Sequence, residues 1–282
     1  MLRTIVCTAI TISMIILGTG YSWPDDVPFG ADSLAYLADE ADLIVLATQA
    51  RPAGFSGGDH TQPLYVTYDV QIGETLRGSA SGGQIRVAVP ESLDFRSVAD
   101  VESSILFLSA LTAEPSRADQ SGTLVSHVLL GGHYGAVAVQ DTERLKAIKE
   151  YLGDPSSAVN WARTHIVSAD EFLQRSAVIS LYNQNPSQAV VDALALAANS
   201  TQISVENTQI VVRALEASQL EAAVEPLRAL ASNPHQPEAV RRSAVEALVS
   251  VPGGLQELES MTDAEDLFLR ELAQSVTANL PR

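Results

Sequence analysis

Four leucines recur at almost constant spacing through the second half of this chain. They lie 34, 33 and 32 residues apart, and an apolar residue stands four positions before each: Leu181, Leu215, Leu248 and Leu280 follow Ala177, Val211, Ala244 and Val276. Residues four apart lie on one face of an α-helix, so each unit predicts a helix with one apolar side. A lone helix cannot bury that side, and neighbouring units must therefore stack on one another.

A second helical segment follows each of the first three units, at residues 190–198, 222–231 and 255–261. The sequence Arg-Ser-Ala-Val also occurs twice at the same helical phase, at residues 175–178 and 242–245. Repeats of two short helices are typical of an α-solenoid. We therefore predict an all-α solenoid over residues 142–282, with an irregular helical bundle as the alternative.

The first half of the chain has a period of two instead. Apolar residues occupy the even positions of residues 64–72, which predicts a half-buried strand, and Gly73 predicts a bend or bulge after it. Similar short runs are separated by loops rich in Gly, Ser, Pro and Asp; they lie at residues 42–50, 84–90, 103–110, 123–130 and 135–139. This pattern predicts a small, closed or nearly closed antiparallel β-barrel, preceded by a short helix at residues 33–41. The fold class is therefore α+β with two domains.

Residues 1–20 have the layout of a secretory signal peptide. Arg3 supplies a positive start, residues 4–18 are uncharged and apolar, and Gly18 and Gly20 suit a cleavage site. The apolar run is short for a spanning helix, although an uncleaved membrane anchor is the alternative because no Ala-x-Ala site is present. The sequence thus predicts a periplasmic or secreted protein. The only cysteine, Cys7, lies inside the run, so the mature chain would form no disulfide and no thiolate metal site.

The charge of the chain narrows its partners. The formal net charge is −17, from 34 Asp and Glu against 17 Lys and Arg. Binding of nucleic acid or of an anionic membrane surface requires a basic face, so we expect neither once the signal peptide has been removed. The predicted division is signal peptide 1–20, exposed segment 21–32, barrel domain 33–141 and helical repeat domain 142–282.

One motif could be mistaken for a catalytic site. Residues 54–58 read Gly-Phe-Ser-Gly-Gly and match G-x-S-x-G with Ser56 as the nucleophile, and Asp59 and His60 follow closely. A nucleophile elbow needs a strand before the serine and a helix after it, whereas Pro52 precedes Ser56 here and a glycine-rich loop follows. We interpret the segment as a hairpin loop between the first two strands.

The five histidines do not indicate a metal site. None of them forms H-x-x-x-H or H-E-x-x-H, although His127 and His133 could approach each other across a hairpin. Two imidazoles without a carboxylate favour a structural role. The sequence therefore predicts no catalytic residue, no cofactor and no bound metal.

Short core motifs carry a family resemblance. The helical half resembles HEAT-like repeats, including the short bacterial lyase-type form. Residues 41–50, 68–78, 103–111 and 131–139 resemble segments of a secreted bacterial OB-like barrel related to tissue inhibitors of metalloproteinases and netrin modules. The HEAT resemblance implies a protein-binding surface. Tissue-type inhibitors chelate zinc through an N-terminal cysteine, which the mature chain lacks, so that mechanism does not transfer.

These observations predict an exported, non-enzymatic binding or scaffold protein. Its partner would be another protein, of basic or neutral charge, held on the solenoid and on the loops of the barrel. A protease-inhibitor-like barrel is one alternative, and a serine hydrolase using Ser56 is the other.

Overall fold

The computed structural model describes residues 30–56, 65–80, 82–90, 103–111, 125–130, 135–139 and 141–280. The predicted signal peptide, Asp59, His60 and His133 lie outside these ranges. The strands are β1 Leu43–Ser56, β2 Tyr65–Arg77, β3 Gln84–Pro90, β4 Ser104–Ala110, β5 His127–Leu129 and β6 Ala136–Ala138. The helices are α1 Leu34–Glu40, α2 Thr142–Gly153, α3 Ala158–His165, α4 Glu171–Tyr182, α5 Gln188–Ala198, α6 Val205–Ser218, α7 Val224–Ser232, α8 Glu238–Leu248, α9 Gly254–Met261 and α10 Leu267–Ala278.

Five strands close into a barrel in the order β1-β2-β3-β5-β4-β1, and β6 continues along the side of β4 beyond β5. The predicted α+β class, with a barrel followed by helices, is confirmed. One pairing, between β3 and β5, is parallel. This follows from the strand number, because a closed ring with an odd number of strands cannot be antiparallel throughout. The two segments expected to bring His127 and His133 together both pair with β4.

The even-numbered side chains of β2 pack in the barrel interior as predicted, although Thr67, at an odd position, is also fully buried. Val70 is fully buried and Tyr68 almost so, and both belong to the apolar cluster inside the barrel. Leu46 pairs with Glu74 and the next residue, Ala47, pairs with Ile72, so Gly73 has no partner in this register. The predicted bulge at Gly73 is therefore confirmed.

The far part of β1 lies outside the ring. Residues 44–47 pair with both β2 and β4, whereas from Gln49 to Ser56 the pairings of β1 in the described part of the chain are with β2 alone. Pro52 lies in this stretch, and a register irregularity follows it before Gly54.

The helices after α2 form two stacked layers. The helices α4, α6, α8 and α10 contact one another in sequence and form layer A, while α3, α5, α7 and α9 form layer B. Side-chain caps fix where layer A helices begin: Asp170, Ser204 and Asp266 each accept the backbone N–H three residues further on. We call the two layers the helical array. The helix α3 was not predicted, and the other predicted helical segments are present.

None of the helices in the described ranges is both long enough and apolar enough to cross a membrane.

Candidate interaction surface

Gln174 joins neighbouring layer A helices through four hydrogen bonds. Its side chain is buried in α4. Its Nε2 donates to the carbonyl oxygens of Ser168 at 2.9 Å and Gln202 at 3.2 Å. Its Oε1 accepts from Ser204 N at 3.3 Å and from Asn207 Nδ2 at 2.9 Å. One amide therefore fixes the loop before α4 and the start of α6.

An Asp–Arg–Phe arrangement occurs at two places in the array. Arg144 Nε lies 2.5 Å from an Asp170 oxygen, and its guanidinium carbon lies 6.0 Å from the centre of the Phe172 ring. In α10 the same offset recurs: Asp266 pairs with Arg241 at 2.5 Å, and Arg241 lies 4.7 Å from the Phe268 ring.

The cap aspartate, the aromatic ring two residues later and the arginine from another helix together hold the start of each helix in place. Sequence reasoning missed this arrangement. The signal was present in Asp-Glu-Phe-Leu at 170–173 and Asp-Leu-Phe-Leu at 266–269.

These contacts place the N-terminal ends of the layer A helices along one edge of the array. We call this the N-terminal edge; its exposed residues are Val167, Glu171, Val205, Glu206, Glu238, Glu265 and Leu267. Direct contacts support the alignment, since Arg175 in α4 pairs with Glu206 in the first turn of α6 at 2.9 Å. The edge is therefore built from ordered helix ends.

The N-terminal edge combines exposed apolar side chains with carboxylates. Leu267 is 56% exposed and Val205 is 47% exposed, the two highest values among the large apolar residues of the described chain. Carboxylates in the first turn are favoured by the helix dipole by about 0.3–1 kcal/mol, which accounts for their position without a ligand. A rigid edge of this composition suits contact with another protein surface.

Ser56 is the last residue of β1 and stands opposite Tyr65 in β2. The strand before it agrees with one half of a nucleophile elbow. The residues that would form the other half lie outside the described ranges.

The chain brings a serine and a histidine together at the start of β5, a pair that was not predicted from the sequence. Ser126 Oγ lies 2.7 Å from His127 Nδ1, where β5 begins. Burial lowers the pKa of His127, and the Asp42 carboxylate opposes that shift. However, Asp42 accepts from Ala110 N at 2.8 Å and from Ser109 Oγ at 3.3 Å, so its hydrogen bonds go to β4.

A nucleophile needs a base that is itself oriented by a third group. The hydrogen bonds of Asp42 do not supply that orientation to His127. Only the adjacency of Ser126 and His127 could have indicated the contact from the sequence, and adjacency alone does not predict side-chain geometry. In the part of the chain that the structure describes, no three His, Cys, Asp or Glu residues are grouped closely enough to hold a metal ion.

His165 has a structural place. Its ring centre lies 4.8 Å from that of Trp161, which in turn lies 4.9 Å from that of Tyr151, so the three rings link α2 and α3. Burial lowers the pKa of His165, and the carboxylates of Glu150 and Asp170 partly oppose this. His235 is exposed in the loop before α8.

Comparison with known proteins adds little. No family model matches the chain, and no curated protein sequence matches it. A solved structure of human deoxyhypusine hydroxylase in complex with glycerol is similar over 43% of this chain and 42% of its own length, at 24% identity and a TM-score of 0.36. A likeness at that TM-score carries no argument about this chain.

Proposed function

We propose that this chain is an exported, non-enzymatic binding or scaffold protein that holds a partner protein on its helical array, with the barrel loops as a second contact. The observation that carries the proposal is the exposure of Val205 and Leu267 on the N-terminal edge. Export rests on the signal-like residues 1–20.

The energy of such an interaction would come from a few apolar anchors that become buried. Protein interfaces concentrate their affinity in a small number of desolvated side chains, while surrounding charges select the partner and speed association. Val205 and Leu267 suit the first role. The net charge of −17 suits the second and favours a basic or neutral protein over nucleic acid or an anionic membrane.

The edge can serve as a scaffold because its parts are held in place before binding. The hydrogen bonds of Gln174 and the ion pair between Arg241 and Asp266 fix neighbouring helix starts in the free protein. A surface that is already ordered loses less conformational entropy on association, which raises affinity for a given contact area.

We also propose that the helical array is HEAT-like and that the barrel is related to inhibitor and netrin-type barrels. The two-layer stacking of short helices supports a HEAT-like interpretation of the array, and the closed strand order supports a relation to inhibitor and netrin-type barrels. An inhibitor of the tissue type would need a different contact group, since Cys7 is the only cysteine and lies in the signal-like run.

The test is a crosslinking pull-down from the envelope fraction with residues 21–282 and two matched double variants. Val205→Ser with Leu267→Ser alters the N-terminal edge. Leu196→Ser with Leu255→Ser alters layer B, where the two leucines are 41% and 46% exposed. The proposal predicts a reproducible partner that the first variant loses and the second retains. Recovery of no partner, or equal loss by both variants, would overturn it.

A further inference from the structure

The helix α1 lies beside α4 in the position of a first layer A helix, although the barrel follows it directly in sequence. Leu34 and Leu37 are fully buried and Ala31 is 2% exposed. The backbone N–H of Leu34 donates to Ser176 Oγ in α4 at 2.9 Å, in a buried contact between residues far apart in the chain. The helix α1 is thus an integral part of the packed helical array.

A single arginine continues the layer through α1. Arg175 of α4 pairs with Asp32, just before α1, and also with Glu206 at the start of α6. Its guanidinium therefore joins the N-terminal ends of α1 and α6 across α4. This is the same kind of link that Arg241 makes between α8 and α10.

The strand that follows α1 belongs to two apolar clusters at once. Leu43 and Val45 point into the barrel, while Ile44 lies in the cluster that contains α1 and the helical array. The strand β4 divides in the same way, since Leu106 lies inside the barrel and Phe107 lies in the shared cluster. Alternation along a strand puts successive side chains on opposite faces, so these two strands form the wall between the clusters.

Polar contacts through α2 join the two halves at another place. Lys149 Nζ lies 2.6 Å from a Glu74 oxygen in β2. Arg144 Nη1 donates to the carbonyl oxygen of Ala138 at 2.8 Å, while its Nε pairs with Asp170 of the array.

We infer that α1 is a clasp that makes the barrel and the helical array one cooperative folding unit with a fixed relative orientation. Release of α1 from α4 would expose buried apolar surface on both helices. It would also expose the side chains of β1 and β4 that pack in the same cluster as α1, Ile44 and Phe107. Loss of either half therefore destabilises the other. This inference does not depend on the proposed function.

Native-state hydrogen exchange on residues 21–282 tests the clasp. Val70→Ala is placed inside the barrel, in the cluster that contains no described residue of α1 or α4. If the halves are one unit, the slowest amides of β4 and of α4 exchange faster by the same factor in the variant. Acceleration in β4 with unchanged exchange in α4 would overturn the inference.

Two further variants keep the test decisive. Val66→Ala removes less, because Val66 is only half-buried at the same cluster, and it replaces Val70→Ala if that variant does not fold. Ser176→Ala combined with Arg175→Met weakens the clasp without touching the barrel interior. In that background the effect of the barrel substitution on α4 should shrink, and an undiminished effect would show that the coupling does not pass through α1.

Discussion

Gly30 packs its backbone against the side chain of Ile179 in α4. The φ angle of Gly30 is +82°, and a Cβ added there would lie 2.9 Å from Ile179 Cγ2. We expect Gly30→Ala to lower the free energy of unfolding by about 1–3 kcal/mol, because left-handed backbone strain adds to the clash. Chemical denaturation measures the loss. The matched control is Gly153→Ala, since an added Cβ meets no atom within 4 Å at that position; equal stability of the two variants would contradict the packing described.

Substitution of Gln174 should show how much its hydrogen bonds contribute to the stability of the helical array. Gln174→Leu leaves two carbonyl oxygens and two N–H groups without the partner described above. Three of these contacts are only partly buried, so water can replace the lost partner there, whereas Asn207 Nδ2 is buried. A buried polar group without a partner costs about 1–3 kcal/mol, and we expect a loss of that size in unfolding free energy. Gln188→Leu is the matched control and should cost less, because the amide of Gln188 is exposed and donates to Asp192 on its own helix at 2.7 Å. The reverse order would show that the hydrogen bonds do not hold the helices together.

Asp266 should make stability depend on pH at the acidic end. The pKa of Asp266 is held below its ordinary value, mainly by the hydrogen bond from the backbone N–H of Leu269 and to a smaller extent by the hydrogen bond and the charge of Arg241. A carboxyl with a depressed folded-state pKa adds stability above its unfolded pKa, and that stability is lost as the pH falls through the folded value.

Asp266→Asn keeps a capping side chain but loses the charge, and because solvent screens this partly exposed carboxylate we expect it to cost about 0.5–1 kcal/mol at pH 7. The difference from the unsubstituted protein should vanish in strong acid. Unfolding free energies measured from neutral pH downwards check this, with exposed Asp263→Asn as the control. A constant difference at every pH would exclude the ion pair as the cause.

His165 should act in the neighbouring pH range and in the same direction. Its folded-state pKa is lowered by burial, so the unfolded chain takes up a proton first as the pH falls below about 6.5. Stability is therefore full above that pH and declines below it, towards the folded pKa.

Replacement of His165 by Phe keeps a ring against Trp161 and should flatten the decline between pH 6.5 and the onset of carboxylate protonation. Thermal melts across this range measure the slope, with His235→Gln as the exposed control. Part of the slope should remain, because burial also lowers the pKa of His127. An unchanged slope in the His165 variant would sink the assignment.

Periodicity predicted the elements, because local pattern decides them. The alternation at residues 64–72 and the leucine spacing located β2 and the helices α4, α6 and α8, and Gly73 located the bulge. The fourth leucine, Leu280, lies beyond the end of α10. Sequence could not place α1 against α4, since the Leu34–Ser176 contact joins distant parts of the chain and neither residue has an unusual neighbourhood in sequence. Sequence could not identify the N-terminal edge either, because the exposure of Leu267 depends on how α10 packs.

The short helix α3 was missed for a local reason. The apolar residues of this eight-residue helix all lie between Ala158 and Ala162, which is too short a stretch to show a helical period. The helix is held by tertiary contacts such as the hydrogen bond from Trp161 Nε1 to the carbonyl oxygen of Ala147 at 2.8 Å. Helices of this length are marginal by propensity alone. Packing, which the sequence pattern does not display, decides whether they form.

The stretch of β1 from Gln49 to Ser56 affects how readily copies of the chain aggregate at high concentration. A long strand that pairs on one side offers its free backbone groups to another molecule, which is a common route to aggregation. Pro52 removes one donor from this stretch, and the register irregularity before Gly54 twists what remains. The two features discourage edge-to-edge growth of a continuous sheet between copies. The chain has a single cysteine and so can form no internal disulfide to restrain this strand, which makes that protection more important.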